Sequence, residues 1–241
     1  MSPQTNKLTT NSIEKALTVT GLIGLAIVLL SIGLYSLSGT SFGQSVSGLL
    51  ALDSLHVWWY ISRAAGLAGY LLFWLSTVWG FAVSSKIFDS FLERTFTYDF
   101  HEHLSLLSIG FVILHVIVLL LDKYEPLSWV EILVPFASAY RPFWVGIGII
   151  GFYLSVLVTI TFYIRSYISM QVFRTIHYLS VASYIVSFAH SIASGTDSGI
   201  TWVQVMYWGT FLFAIFFCVQ WLFTLLLNKR AAENQLQASE A

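Results

Sequence analysis

Charge is scarce in this chain. Asp, Glu, Lys and Arg make up 10% of its 241 residues, against about 25% in soluble globular domains, which excludes a water-solvated surface over most of its length. A single cysteine, Cys218, excludes a disulfide framework and a cysteine-based metal cluster, and its place in an apolar run reads as a small core residue. The net charge is −1 and no basic block is present, so a nucleic acid partner is not expected. No glycine-rich phosphate-binding loop is expected either, and with it no flavin or nicotinamide site. Internal repeats and low-complexity tracts are also missing.

What is present is apolar length. The chain is 57% hydrophobic with a mean hydropathy of +0.78. Crossing the hydrocarbon core takes about 20 apolar residues, and stretches near 16–38, 55–83, 100–121, 142–165, 172–193 and 201–228 qualify. The expected fold is an all-α membrane protein, a six-transmembrane-helix bundle over 16–228. Residues 1–15 form an N-terminal segment and 229–241 a short tail. The first run is longer than the 7–15 residues of a signal-peptide core and lacks an A-x-A site, so it reads as a retained span. Nine Trp in a 17% aromatic chain suit anchoring at the lipid interface, which makes membrane lipid the first expected partner.

Basic residues set the expected orientation. Lys7, Lys15, Lys86, Arg94, Arg165, Arg174, Lys229 and Arg230 fall on one side of a six-span arrangement, Lys123 and Arg141 on the other, with Arg63 just inside the second span. Both termini are therefore expected in the cytoplasm, the protein being integral to the membrane, of the bacterial inner or plasma-membrane kind. Two connections look like more than linkers. Ser84 to Tyr98 places Ile87, Phe88, Phe91, Leu92 and Phe96 near one helical face, which predicts an amphipathic helix lying on the cytoplasmic surface. The outer segment from Tyr124 to Phe143 is too apolar for an ordinary loop and too broken by Pro126, Pro135 and Pro142 to span, so it is expected to lie on or dip into the outer face.

Five of the six histidines lie inside two of the apolar segments, and ionisable residues within a membrane point to function. His101 and His115 are fourteen residues apart, which at about 100° per residue leaves them within about 40° of one helical face. His103 sits about 120° from His115 and is set aside as a neighbour. The rise over fourteen residues, about 21 Å, defines two levels rather than one site. His177 and His190, thirteen apart, miss a common face by about 140°, so a distorted turn or different approach angles must be assumed. Their axial separation, about 19.5 Å, still matches the first pair, and their spans run in the same direction. His101 thus levels with His177, and His115 with His190. Paired neutral imidazoles suit the two axial positions of heme iron, and two stacked hemes between spans three and five divide the membrane for electron transfer. Zinc is disfavoured, because no Cys or acidic ligands lie at these depths.

Several smaller features accompany these helices: SRAAG at Ser62 to Gly66 opening the second span, the VPF and YRP strings of the outer segment, and GTD after the fifth span. With the four histidines at their spacings, they make the chain resemble the ferric reductase-like transmembrane domain over about residues 50 to 225. That family contains ferric reductases, NADPH oxidases and the heme subunit of a bacterial methionine sulfoxide reductase system. The resemblance implies two heme b groups, with His101 and His177 on the cytoplasmic-side iron and His115 and His190 on the outer one. It matches Arg63 to an arginine near the outer heme that helps form an oxygen-reduction pocket; read from the residues alone, Arg63 pairs with a propionate or anionic substrate, or snorkels. Arg174, one turn before His177, is in reach of an inner propionate and equally satisfies the positive-inside rule. The oxidases carry a further histidine four residues past the outer ligand of span three; here that position is Leu119, which speaks against dedicated superoxide production.

The expected function is transmembrane electron transfer by an oxidoreductase membrane subunit. The donor would be a separate flavoprotein or a membrane quinol, and the extracytoplasmic acceptor ferric iron, oxygen or a partner redox protein. The competing readings are a heme-free scaffold or small transporter with structural or proton-relaying histidines, and a quinol-oxidising cytochrome b. His56, beside Trp58 and Trp59, reads as an interface residue and Asp197 as a turn residue. Phe111, Tyr184 and Phe188 lie between the two levels, with aromatic packing the plainer account.

Overall fold

The computed structural model describes residues 57–90, 92–122 and 127–240, and among them the chain is all-helical with no strand. In order come α1 (Val57–Ser84), α2 (Arg94–Leu119), α3 (Trp129–Leu133), α4 (Pro142–Tyr163), α5 (Met170–His177), α6 (Leu179–Ser194), a 3₁₀ turn (Thr196–Gly199) and α7 (Thr201–Glu240). Five helical segments are long and apolar enough to cross a membrane: Val57–Ser84, Arg94–Leu119, Pro142–Tyr163, Met170–Ser194 and Thr201–Gln235. They coincide with the expected second to sixth spans, as an integral membrane protein requires. The expected first span, 16–38, and His56 lie outside the described residues.

Contacts divide the chain into two compact units, Met1–Ala65 with Ile113–Leu127, and Gly66–Val112 with Ser128–Ala241. In the first, Ser62, Ala65, Val118 and Asp122 are buried. The second has an aromatic core of Tyr70, Tyr184, Phe188 and Tyr207, closed by Val78, Val203 and Ala214. Phe188 stacks on Phe211 with ring centroids 4.1 Å apart, and the Tyr70 hydroxyl bonds to Thr210 Oγ1 at 2.7 Å and Tyr184 Oη at 3.4 Å. Tyr184 and Phe188 are thus packing residues. α7 shows why: Val203, Tyr207 and Ala214 are buried, while Val205, Leu212, Phe216, Val219, Phe223 and Leu226 are exposed on the rest of its surface. Apolar residues on both faces suit a helix with protein on one side and lipid on the other.

α4 and α6 pack closely through small residues. Ser183, fully buried, donates to Gly151 O at 2.7 Å, and Ser155 joins both. Small residues let helix backbones approach in a bilayer, and each hydroxyl finds a partner across or along the helices. Gly146, Gly148 and Gly151 spell G-x-G-x-x-G, the string of a phosphate loop, but all three lie inside α4. There they admit Phe136, His190 and Val186 respectively, whose atoms would collide with a Cβ. A phosphate loop would need a preceding strand.

The connection after α1 differs from expectation. Lys86, at φ 59°, takes the left-handed position usually given to glycine. Its N–H donates to Val83 O at 3.1 Å and that of Ile87 to Ala82 O at 3.1 Å, the paired bonds of a Schellman stop. Further turns follow, Trp79 packs on Phe88 and Phe100 while donating to Thr97 O, and α2 begins at Arg94. Residues 94–98 are therefore the first turn of the span itself, and no separate amphipathic helix is present among the described residues of 84–98. The outer segment does stay short of a span. Its single turn, α3, carries a reciprocal cap in which Ser128 and Glu131 satisfy each other's backbone N–H. Arg141 and Tyr140 then donate to Ala193 O and Ser194 O at the end of α6.

Candidate functional site

α2 carries His101 and His115 on one unbroken helix. His101 lines a cavity of about 100 Å3 in the second unit, together with His177 of α5, Phe73, Phe81, Trp221 and a set of serine and threonine hydroxyls. The two imidazole centroids are 6.2 Å apart and the rings lie 75° to one another. With a metal–imidazole bond of about 2.1 Å and a ring radius of about 1.1 Å, two imidazoles opposed across one metal ion put their centroids about 6.4 Å apart. The pair is spaced as axial ligands would be. Gly80 lies against His101, where a Cβ would stand 3.1 Å from the ring.

The Nδ1 atoms define how each ring is held. His115 Nδ1–H donates to Ser62 O at 2.8 Å, and the Ser62 hydroxyl returns a bond to His115 O at 3.1 Å. His190 Nδ1–H donates to Trp144 O at 2.8 Å. His101 Nδ1 lies 3.3 Å from Ser76 Oγ. Metal-ligating imidazoles characteristically engage their other ring nitrogen in this way, which fixes the tautomer and directs the metal to Nε2. His177 is the exception: its Nδ1 is buried with no hydrogen-bond partner among the described residues.

The Met170–Ser194 span is interrupted where the thirteen-residue spacing demands accommodation. The break falls at Tyr178, directly after His177, and Val181 N–H donates to Tyr178 O at 3.2 Å, three residues back. Such a tight turn gains about 20° per residue over an α-helix, far less than the 140° needed. His177 accordingly faces α2, while His190 faces α4 and lies against Gly148. The two histidines of this span address different neighbouring helices.

His103 is exposed, its Nδ1–H donating to Asp99 O at 2.6 Å. The Arg63 guanidinium lies over the Tyr60 ring at 5.6 Å. Arg174 is exposed, one turn before His177, and is absent from the cavity wall. Asp197 sits in the 3₁₀ turn, accepting from Ile200 N–H at 2.9 Å. Sequence reasoning missed Ser62, Ser76, Ser105 and Gly148. A signal for the first two existed: Ser62 and Ser76 are fourteen residues apart in α1, the same interval that separates His101 and His115 in α2.

Among the described residues no group of three or more His, Cys, Asp or Glu side chains converges as a bare-ion site. A tetrapyrrole brings four nitrogens of its own, so two imidazoles complete a six-coordinate iron, and the donor set present fits that group. Compared with protein-family models, curated proteins and solved structures, the chain matches none.

Proposed function

We propose that this chain is a membrane electron-transfer subunit holding two b hemes, of the ferric reductase-like kind. The observation that carries the reading is the His101–His177 pair, whose ring centroids lie 6.2 Å apart at a shared cavity among the apolar helices. Heme supplies a one-electron ferric–ferrous couple, and its axial ligands and their surroundings tune the potential. The chain's own residues hold and orient it. His101 and His177 would supply the two imidazoles, and Phe73, Phe81 and Trp221 would shield them from water.

The second centre, on His115 and His190, rests on the sequence pattern. Arg63 and Arg174 are the cations assigned to propionates or an anionic acceptor, and positive-inside counting puts the His101 end and both termini in the cytoplasm. Electrons would enter from a separate flavoprotein or quinol and leave to ferric iron, oxygen or a redox protein outside. The test is a dithionite-reduced minus oxidised spectrum of the purified full chain with pyridine-hemochrome stoichiometry. Two b hemes per chain are expected. Protein that stays colourless when expressed with ample heme overturns the proposal.

A further inference from the structure

The environment of His101 contains more polar atoms than its ligand role requires. Ser76 is buried to 3% exposure on α1, and its Oγ lies 2.7 Å from Ser105 Oγ and 3.3 Å from His101 Nδ1. Ser105, one turn after His101 on α2, donates its hydroxyl to His101 O at 2.8 Å. Each hydroxyl has one hydrogen to give. That of Ser105 is committed to His101 O, so Ser105 Oγ accepts in its bond with Ser76, and the Ser76 hydrogen is the one donated there. Ser76 Oγ then has only lone pairs left for the imidazole, and the hydrogen between them must sit on Nδ1. The loop runs from His101 Nδ1–H to Ser76, to Ser105, and back to His101 O.

We infer that Ser76 and Ser105 are positioning residues that lock His101 in the Nδ1–H tautomer, leaving the Nε2 lone pair facing the cavity. The inference rests on the proposed heme reading for its consequence, though not for its geometry. A neutral imidazole that rotated freely between tautomers would present a ligand lone pair at Nε2 only part of the time. One held by an acceptor at Nδ1 presents it always, and is a more basic ligand because the N–H is polarised. Its partner differs: His177 Nδ1 has no acceptor among the described residues, so the tuning of this centre falls on the α1–α2 side alone. A more basic axial ligand favours the ferric state, so losing the acceptor raises the midpoint potential.

The experiment uses the purified full chain and three variants, Ser76→Ala, Ser76→Thr and Ser105→Ala. Equilibrium redox titration with heme content measured in parallel is expected to show one midpoint shifted positive in Ser76→Ala and the other unmoved, with stoichiometry retained. Ser76→Thr, which keeps a hydroxyl at the same place, returns the shifted value to that of the wild type. Ser105→Ala releases the Ser76 hydrogen and shifts the same midpoint. Imidazole 15N shifts of the full chain before heme is added are expected to report His101 protonated at Nδ1, since a metal at Nε2 would put the hydrogen there regardless of Ser76. Two bound hemes with unmoved potentials in Ser76→Ala, or a His101 protonated at Nε2, overturn the inference. A wild-type chain that binds no heme overturns the proposed function instead, and the 15N measurement then decides the tautomer by itself.

Discussion

Gly148 is the point at which one methyl group does the most. A Cβ there would lie 2.5 Å from His190 Nδ1 and 2.7 Å from its Cγ, and neither side can yield easily, because the ring is held to Trp144 O at 2.8 Å on the same helix. Forcing atoms into a packed site costs about 1–3 kcal/mol, and swinging the ring away forfeits a hydrogen bond of about 1 kcal/mol. Gly148→Ala is therefore expected to disfavour the His190 geometry by about 2–4 kcal/mol. At 1.4 kcal/mol per tenfold, that weakens any ligand depending on His190 by roughly thirtyfold to several-hundredfold. Gly110→Ala is the matched control: its Cβ would meet no described atom within 4 Å, and alanine is the better helix former. The assay is pyridine-hemochrome stoichiometry across a heme titration of the two variants. Loss of one heme in Gly148→Ala with two kept in Gly110→Ala is the expected result. Two hemes at wild-type affinity in Gly148→Ala would refute the reasoning that His190 is a ligand pinned against α4.

His101→Ala and His177→Ala are each expected to remove the same heme, whereas His103→Ala, whose ring bonds to Asp99 O at an exposed site, removes none; a heme lost from the last variant by the same stoichiometry would show that the register is misassigned. Tyr70→Phe takes a partner from Thr210 and Tyr184 in the buried core. Thr210 keeps its bond to Met206 O, so the expected cost is that of one buried hydroxyl pair, about 1–2 kcal/mol, read as earlier thermal unfolding in detergent with an unchanged heme spectrum. Glu131 accepts from the Ser128 backbone and hydroxyl and from Ala139 N–H, which holds its carboxyl below its ordinary value of 4.5. A depressed folded-state value means that its contribution is present above that ordinary value and lost as pH falls below it. Amide exchange at Ala139 is thus expected to be slow at neutral pH and to accelerate, beyond intrinsic rates, in acid; a rate ratio flat with pH would dismiss the cap as a local tie.

The difference between what the residues announce and what they conceal follows from the range of each interaction. Long apolar runs are a local property, so five spans could be read from the cost of burying charge in hydrocarbon, although α2 begins six residues before the expected 100 and α7 runs to Glu240, past the expected 228. Helical phase is local too. It separated His101 from His103 before any contact was known, and the structure puts the first ring against His177 and the second at the surface. Phase fails where the backbone departs from the helix without punctuation. Lys86 adopts a left-handed turn that no glycine marks, so a periodic pattern that looked like a surface helix is cut by a Schellman stop. Tyr178 interrupts the Met170–Ser194 span with no proline or glycine to betray it. The thirteen-residue spacing shows that something must give, but only packing chooses where. The supports of the histidines are hardest to see, because their partners sit on other helices. Ser76 is twenty-five positions from His101 and Trp144 forty-six from His190. Even so, Ser62 and Ser76 of α1 repeat at the interval of His101 and His115 of α2. Helices packed side by side must match recurring ligands with recurring acceptors, so a polar residue spaced like a candidate ligand on the adjacent span is the feature to seek first in a chain of this kind.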